Sequence, residues 1–473
     1  MSQSETSSRL SLASFPAELI DSILSYLSPL DLVAVSATCR LLYERATADT
    51  LWRPLVQENI PGSRLTTPYP FHSYRELYAA HDTKWFLTKN KIWFCDQDLV
   101  GKLLLARYDQ RRGCIEAYQL VAISNHTGIP NWFLNQNHTF EPRVALHVDK
   151  PVIKFAAEIN PDSRRSGELS SAKGRGFKAE VPMVVDEDAE TTFTNFILAK
   201  PMPPKDIGPK ILERFPYGSL WPPPAIPASH RVIGSPGFNS EYPHLRPDEV
   251  PSSRAEVSEH IFRIRQWIVM AAGSPTSLIF GHNHMRAHLG EQIITYSTLD
   301  PALYTPTPLK PWRGIWVGDY GGHGCEFLLI HQPDDERPIS DEQLGLERRE
   351  GETDEEWEAR RLEKRVYRGC MMGIKLTGDP NVPRGEHTFM AEDLSDEEYG
   401  RESDDGPFQG ARIVPSVGHI ARTGFRNDEF VDSRLLLISH DRLAQRWIGN
   451  EHISFFERVN IDRFLDPNRR SGQ

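Results

Sequence analysis

Three histidines, His282, His284 and His288, fall in the spacing HxHxxxH, and imidazoles so placed are the commonest way to hold a zinc ion. No cysteine or carboxylate at matching spacing completes a ligand set, and histidines scattered through a polar turn are usually only that. A second candidate is His323 three residues before Glu326, since imidazole titrates near about pH 6.5 and suits acid–base work. No nucleophile motif, P-loop or dinucleotide fingerprint accompanies it, and Gly318-Asp319-Tyr320-Gly321-Gly322-His323-Gly324 lacks the phosphate-binding lysine. The expectation is therefore no catalytic residue, no metal and no cofactor, in a protein that binds rather than converts.

Recognition makes better use of the same stretch. A pocket for a peptide end needs a few backbone donors, one or two fixed polar side chains and apolar walls. In Arg313–Gln332, IWVG predicts a strand, DYGGHG a turn and CEFLLIH a second strand, with glycines around His323 free to take positive φ. Gly369–Leu394 predicts two strands about a Gly-Asp-Pro turn. GHIARTGF is expected as a loop, and SRLLLISHDRLAQRWI and HISFFERV as closing strands with a turn at Asp441-Arg442. Arg422 is a natural partner for a carboxylate, while Phe425 and Trp447 serve equally as pocket wall or core.

Strand-like runs begin at Thr83, with KWFLTK, KIWFCD, KLLLARYD, CIEAYQLVAI, RVALHVD and TFTNFILAK separated by polar turns such as DQRRG. Val257–Ile268 fits a strand or a short helix, and Ser274–Thr298 adds two elements. Pro201–Glu256 contains WPPP, either a polyproline docking segment or an irregular surface wrap. Ser163–Lys178 is expected as a loop, Asp334–Arg365 as a charged insertion with a short helix around Trp357, and Glu392–Asp405 as disordered.

Upstream, Phe15–Leu55 reads as three short helices. Leu19, Ile20, Ile23, Leu24 and Leu27 recur at helical spacing after Pro16, and Ser28-Pro29 breaks the run. Apolar positions lie on more than one face of helices too short to be stable alone, which calls for a partner surface. The following IPGSRLTTPYPFHSYRELY is aromatic enough to be a packed connector.

Composition narrows the classes. Among 473 residues, Lys plus Arg number 54 and Asp plus Glu 65, a net charge of −11 that disfavours non-specific binding to nucleic acid or anionic membrane. No apolar run reaches the ~20 residues of a membrane span, and MSQSETSSRL is no secretory signal. Five widely spaced cysteines without a CxxC pair suit reduced thiols in the cytoplasm or nucleus.

Two resemblances sharpen this. Phe15-Pro16, Ile23-Leu24, Leu27-Ser28-Pro29-Leu30-Asp31-Leu32, Cys39-Arg40 and Trp52 resemble an F-box, with Phe15 where leucine is commoner. That implies docking onto a Skp-type adaptor and through it a cullin, with Pro16, Leu19, Ile20, Ile23, Leu24, Leu27, Pro29 and Leu32 as the contact or its support. GIWVGDYGGHGCE, KLTGDPNVPRG and GHIARTGF resemble the substrate-binding domain of the F-box only protein 31 family and its fungal relatives. The implied fold is a small all-α F-box followed by a mostly β, barrel-like substrate-binding domain with long loops. The implied substrate is a cyclin or a chain with an exposed or modified C-terminus. Tyr320, Gly322, His323 and Gly324 would supply the pocket, and Thr377, Asp379, Asn381, Arg422, Phe425 and Trp447 its walls or supporting shell. The expected division is a disordered lead (1–12), the F-box (13–58), a connector (59–82) and the β domain (83–473) with insertions at 201–256, 333–365 and 392–407. The function expected is substrate recognition in a ubiquitin ligase. An F-box scaffold outside a ligase and a ligand-binding or enzymatic barrel remain the alternatives.

Overall fold

The computed structural model describes residues 12–95, 100–123, 142–156, 177–185, 192–201, 249–271, 286–320, 323–334, 340–395, 408–449 and 452–467. Outside these lie the lead up to residue 11, all of 157–176, the WPPP stretch, His282, His284 and the acidic segment 396–407.

The chain starts with four helices rather than three: α1 (Ala17–Leu24), α2 (Pro29–Ser36), α3 (Arg40–Ala46) and α4 (Asp49–Glu58). Ser28 caps α2 by accepting from the Asp31 amide at 3.2 Å. The expected third helix breaks at Thr47-Ala48, where the Trp52 indole donates to the Ala46 carbonyl at 2.7 Å and fixes the corner. Ile20, Leu24, Leu32, Leu42, Leu51, Trp52 and Val56 point inward.

The connector is packed, as expected. It contains α5 (Tyr74–Ala80), begun by Ser73 and tied to α4 where the Tyr74 amide donates to Asp49 at 2.9 Å. KWFLTK departs from its expected strand: Phe86–Asn90 is a helix, α6. Phe86, Leu87 and Thr88 are buried in a row there, and the Thr88 hydroxyl donates to the Asn59 carbonyl at 2.6 Å. A short apolar run fits either structure, and tertiary packing decides.

Strands β1 (Ile92–Cys95), β2 (Leu103–Asp109), β3 (Cys114–Ile123), β4 (Arg143–Leu146), β5 (Ile153–Phe155), β6 (Glu180–Met183), β7 (Thr192–Leu198), β8 (Ile261–Ala271) and β9 (Arg286–Ser297) follow. They form an open sheet in the order β4-β3-β2-β1-β9-β8-β7-β6, with β5 also on β3. Val257–Ile268 thus resolves as strand from Ile261 onward. A closed barrel comes next: β10 (Gly314–Asp319), β11 (Cys325–His331), β12 (Met371–Lys375), β13 (His387–Ala391), β14 (Arg412–Arg422), β15 (Arg426–Leu437), β16 (Arg442–Trp447) and β17 (Ile453–Arg458). Each strand pairs antiparallel with the next, and β17 closes on β10. The β region from Thr83 is therefore two units, of which only the second is a barrel.

Strand alternation explains how the layers join. On β1 and β2, Trp93, Cys95, Leu104 and Ala106 pack with the helices, while Ile92, Phe94, Leu103 and Leu105 pack against Ile315, Val317, Phe327 and Leu329 of the barrel. The sheet is thus a middle layer, apolar on both faces. The charged insertion carries a helix at Asp354–Val366, opened by a Thr353/Glu356 capping box.

The β2–β3 turn is clasped by the connector. Thr66 donates to Gln110 through its amide at 3.3 Å and its hydroxyl at 3.2 Å. Buried His81 donates from Nε2 to the Gly113 carbonyl at 2.9 Å, and burial lowers its pKa to about 4, so the ring is neutral. Gly113 has φ +62°, and a Cβ there would overlap the Pro70 ring. Gly113→Ala therefore adds left-handed strain of about 1–2 kcal/mol to a steric clash and should cost at least about 2 kcal/mol. Urea unfolding checks this, and a midpoint equal to that of the parent would contradict the clasp.

Candidate functional site

Two surfaces bring the sequence candidates together. On the helical unit the eight positions divide by face. Pro16 is exposed, and Leu19 and Ile23 are 51% and 45% exposed. Leu27 and Pro29 are half-buried, while Ile20, Leu24 and Leu32 are buried in the protein's own core. The outward positions are joined by Phe15, Leu30 and Val33, which the sequence reading left out of the contact set although Leu30 is 58% exposed. Helical spacing from Leu19 through Ile23 was a usable signal for them; burial on the other face was not readable without the fold.

The second surface is one end of the barrel. In a barrel whose strands follow chain order, alternate hairpin turns share an end. The β10–β11, β12–β13, β14–β15 and β16–β17 connections all lie there. Tyr320, His323, Gly324, Thr377, Asp379, Asn381, Arg422, Phe425 and Trp447 are therefore gathered at this mouth, whereas Gly322 lies outside the described residues.

The interior beneath the mouth is filled by Trp312, Trp316, Leu328, Phe389, Val414, Leu435 and Phe456, and Tyr320 packs against this cluster. Toward the mouth the lining turns polar. The Ser416 and Ser433 hydroxyls are 2.8 Å apart, the Gln445 amide donates to Ser433 at 3.0 Å, and the Trp447 indole donates to Ser454 at 3.1 Å. Trp447 is 8% exposed, with its ring over Gly418, where no Cβ would fit. It is interior wall rather than rim.

At the centre stands Lys375, which the sequence reading did not single out. Its ammonium lies 4.3 Å over the Tyr320 ring, 3.1 Å from Glu326, and in contact with Asp379. Tyr320 and Thr388 share a 2.6 Å hydroxyl contact. Asp379 accepts from the Asn381 and Val382 amides at 2.6 and 2.8 Å, so GDPN does build a tight turn, anchored from within by Lys375. That turn meets the next: the Gly424 amide donates to Pro380 at 2.8 Å and Thr423 donates to Asn381 at 3.1 Å.

Burial pushes the Glu326 carboxyl up to about 8, against the attraction of Lys375 and with help from Asp379. Burial alone would raise Asp379 too, but Lys375 and the turn amides outweigh it and hold that carboxyl below the usual range. The pair therefore carries one proton at neutral pH, on Glu326, and the cluster is neutral. The Lys375–Glu326 contact is then a hydrogen bond rather than an ion pair.

Other candidates serve different ends. The Thr377 hydroxyl accepts from the Phe327 amide at 3.0 Å and its carbonyl from the Gly101 amide at 2.6 Å, which ties the barrel to the open sheet. His323 is exposed whereas Glu326 is buried, so the two do not form an acid–base pair. Gly324 has φ +82° and completes the turn by accepting from the Tyr320 amide at 3.0 Å. GHIARTGF departs from its expected loop, because Gly418–Arg422 continue β14 and only the following residues turn. Arg422 is exposed at the end of that strand, and Phe425 lies 5.8 Å from the His419 ring, edge to face. No group of three or more His, Cys, Asp or Glu fit to hold a metal occurs among the described residues.

Comparison with known families follows these boundaries. Residues 12–58 match the F-box-like family, ending with α4. Residues 296–463 match the cyclin D1 binding domain, which takes in the whole barrel. The chain pairs an F-box with a cyclin D1 binding domain. That is the domain architecture of F-box only protein 31-type substrate receptors, which are non-catalytic modules. Among curated proteins, Protein EXECUTER 2, chloroplastic, of Arabidopsis thaliana is 25% identical over 158 residues, 33% of this chain and 21% of that protein. The chain thus matches about a fifth of that relative's length.

The protonated Glu326 gives a pH test. The folded barrel keeps this proton to about pH 8, whereas the unfolded chain releases it near 4.5. Its contribution to stability is full below that lower value and declines as pH rises toward 8. Glu326→Gln mimics the protonated form. The parent should lose about 1 kcal/mol more than this variant between about pH 7 and pH 8 in urea unfolding. Parallel pH profiles would mean that Glu326 is ionised in the folded chain.

Proposed function

We propose that this chain is the substrate-recognition subunit of a cullin-type ubiquitin ligase. The helical unit takes a Skp-type adaptor, and the barrel mouth takes the substrate while partner subunits perform the chemistry. The observation that carries the reading is the row of exposed apolar side chains, Leu19, Ile23, Leu30 and Val33, on helices whose other face is fully committed to the core.

The substrate's C-terminal end is the fitting ligand for the barrel. The apolar cluster around Trp316 and Phe389 fills the barrel beneath the mouth, which favours a chain end lodged among the mouth turns over a strand threaded through the barrel. Among the described residues the Oε1 of buried Gln445 has no hydrogen-bond partner, which makes it a ready acceptor for an N–H such as a terminal amide. A cyclin, the partner in the barrel family's description, is one substrate class; a protein with an exposed or modified C-terminus is the broader one. None of the five cysteines is in a disulfide, which suits the cytoplasm or nucleus.

The adaptor test uses the outward face. Leu19→Asp with Ile23→Asp should reduce co-purification with a Skp-type adaptor at least tenfold and leave the barrel folded. Undiminished capture would contradict the reading. Leu24 is unsuited to this test, because it is 1% exposed and its truncation costs about 2–5 kcal/mol of stability. For the substrate, peptides ending in a free carboxylate and in an amide should compete unequally for the full chain, and equal indifference to both would remove terminus recognition.

A further inference from the structure

Three of the four turns at the mouth hang from one buried ammonium. Lys375 ends β12, where its amide donates to the Glu386 carbonyl at 2.9 Å, and its side chain is 2% exposed. From there it reaches the β10–β11 turn through the Tyr320 ring and the β12–β13 turn through Asp379. The Tyr320 hydroxyl in turn meets Thr388 on β13, and Pro380 and Asn381 hold the β14–β15 turn at Gly424 and Thr423. At that burial Lys375 does not reach a bound chain itself, yet each group it holds belongs to the rim.

The rim needs such support. Asn381 and Phe425 are half-buried turn residues, and Phe425 has φ +52°, a left-handed backbone that is costly for a bulky side chain. A turn of that kind keeps its shape only while its neighbours fix it.

We propose that Lys375 is a positioning residue for substrate binding. It fixes the turns of Tyr320 and Asp379, and through them that of Phe425, in one arrangement, and so preorganises the mouth for the end of a substrate chain. The inference rests on the receptor reading above and deepens it by naming the group that sets the shape of the mouth.

The cluster carries a signature that plain packing lacks. Around Glu326 stand Cys325 on its own strand, Lys375, Asp379 and Tyr320. Burial pushes Tyr320 well above its usual range and Cys325 up to about 12, so both stay neutral at about pH 9. Against the pull of burial, Lys375 keeps Asp379 ionised. Of the three carboxyl and hydroxyl groups, only Glu326 changes charge between neutral pH and that point, at about 8. Once ionised it sets a second negative charge beside Asp379 and withdraws the proton shared with it, which loosens the turn.

The test is fluorescence anisotropy and hydrogen exchange on the full chain. The probe is the tightest binder from a pool of acetylated decapeptides that end in an amide or a carboxylate and lack histidine and cysteine. Lys375→Met should weaken binding about tenfold and speed exchange about tenfold at the amides of Asn381, Val382 and Gly424. The Trp447 amide, bonded to His452 in its own hairpin at 2.9 Å, should keep its rate and show the barrel folded. Lys375→Met combined with Asp379→Asn leaves no unmatched charge and should bind as weakly. Parent affinity should fall about threefold between about pH 7 and about pH 9, while that of Glu326→Gln stays level. Parent-like binding by the double variant, unchanged exchange at the three turn amides, or the same pH profile in Glu326→Gln would each overturn the proposal. A pool that yields no binder for the parent rejects the receptor reading of the mouth and the positioning role with it. Binding that survives Lys375→Met rejects the positioning role alone.

Discussion

Everything in this protein leans on a sheet that is apolar on both faces. Alternate residues of β1 and β2 serve two cores, with Trp93 and Leu104 turned to the helices and Phe94 and Leu105 to the barrel. Helices of seven to ten residues are marginal in isolation, so the F-box borrows its stability from that packing. Its inner stripe is used up in the process, and the outer stripe of Leu19, Ile23, Leu30 and Val33 stays exposed. The connector strengthens the junction. Trp52 packs edge-on against Tyr78 at 5.5 Å, and His81 closes on the β2–β3 turn. After the barrel, the chain returns to the same junction, where Arg107 donates to the Phe464 carbonyl at 3.1 Å and Lys91 pairs with Asp462 at 3.0 Å.

The barrel solves a different problem, which is to shape an opening without letting its turns wander. Lys375 does this from below, holding the Tyr320 ring, Glu326 and the Asp379 turn at once. A buried ammonium is costly unless it is matched, and here the ionised Asp379 balances its charge while protonated Glu326 accepts a hydrogen bond from it. Trp316 and Phe389 belong to the apolar cluster that fills the barrel beneath these turns. The helical unit and the barrel pack on opposite faces of the middle sheet.

How much of this could be read from residues alone follows the range of the interactions. Helical spacing and the Ser28-Pro29 break are local, so the helices were legible, except where the Trp52 indole splits the third. Period-two runs revealed most strands, but KWFLTK is apolar in a row and is settled only by contact with Asn59. The mouth residues were found through motif words, yet their organiser was missed: Lys375 sits in an ordinary strand pattern, and only closure of the barrel brings it under Tyr320. Trp447 shows the same limit in reverse, since a large aromatic near a pocket motif is wall or core according to the strand face it occupies.

The central claim, that the outer helical face is built for an adaptor while the barrel mouth stays available, meets its most direct test in a cryo-EM structure. The sample is the full chain bound to a Skp-type adaptor. The account predicts an adaptor covering Leu19, Ile23, Leu30 and Val33, with the mouth around Tyr320, Asn381 and Phe425 open to solvent. An adaptor seated over the mouth, or one that leaves those four side chains bare, would contradict it.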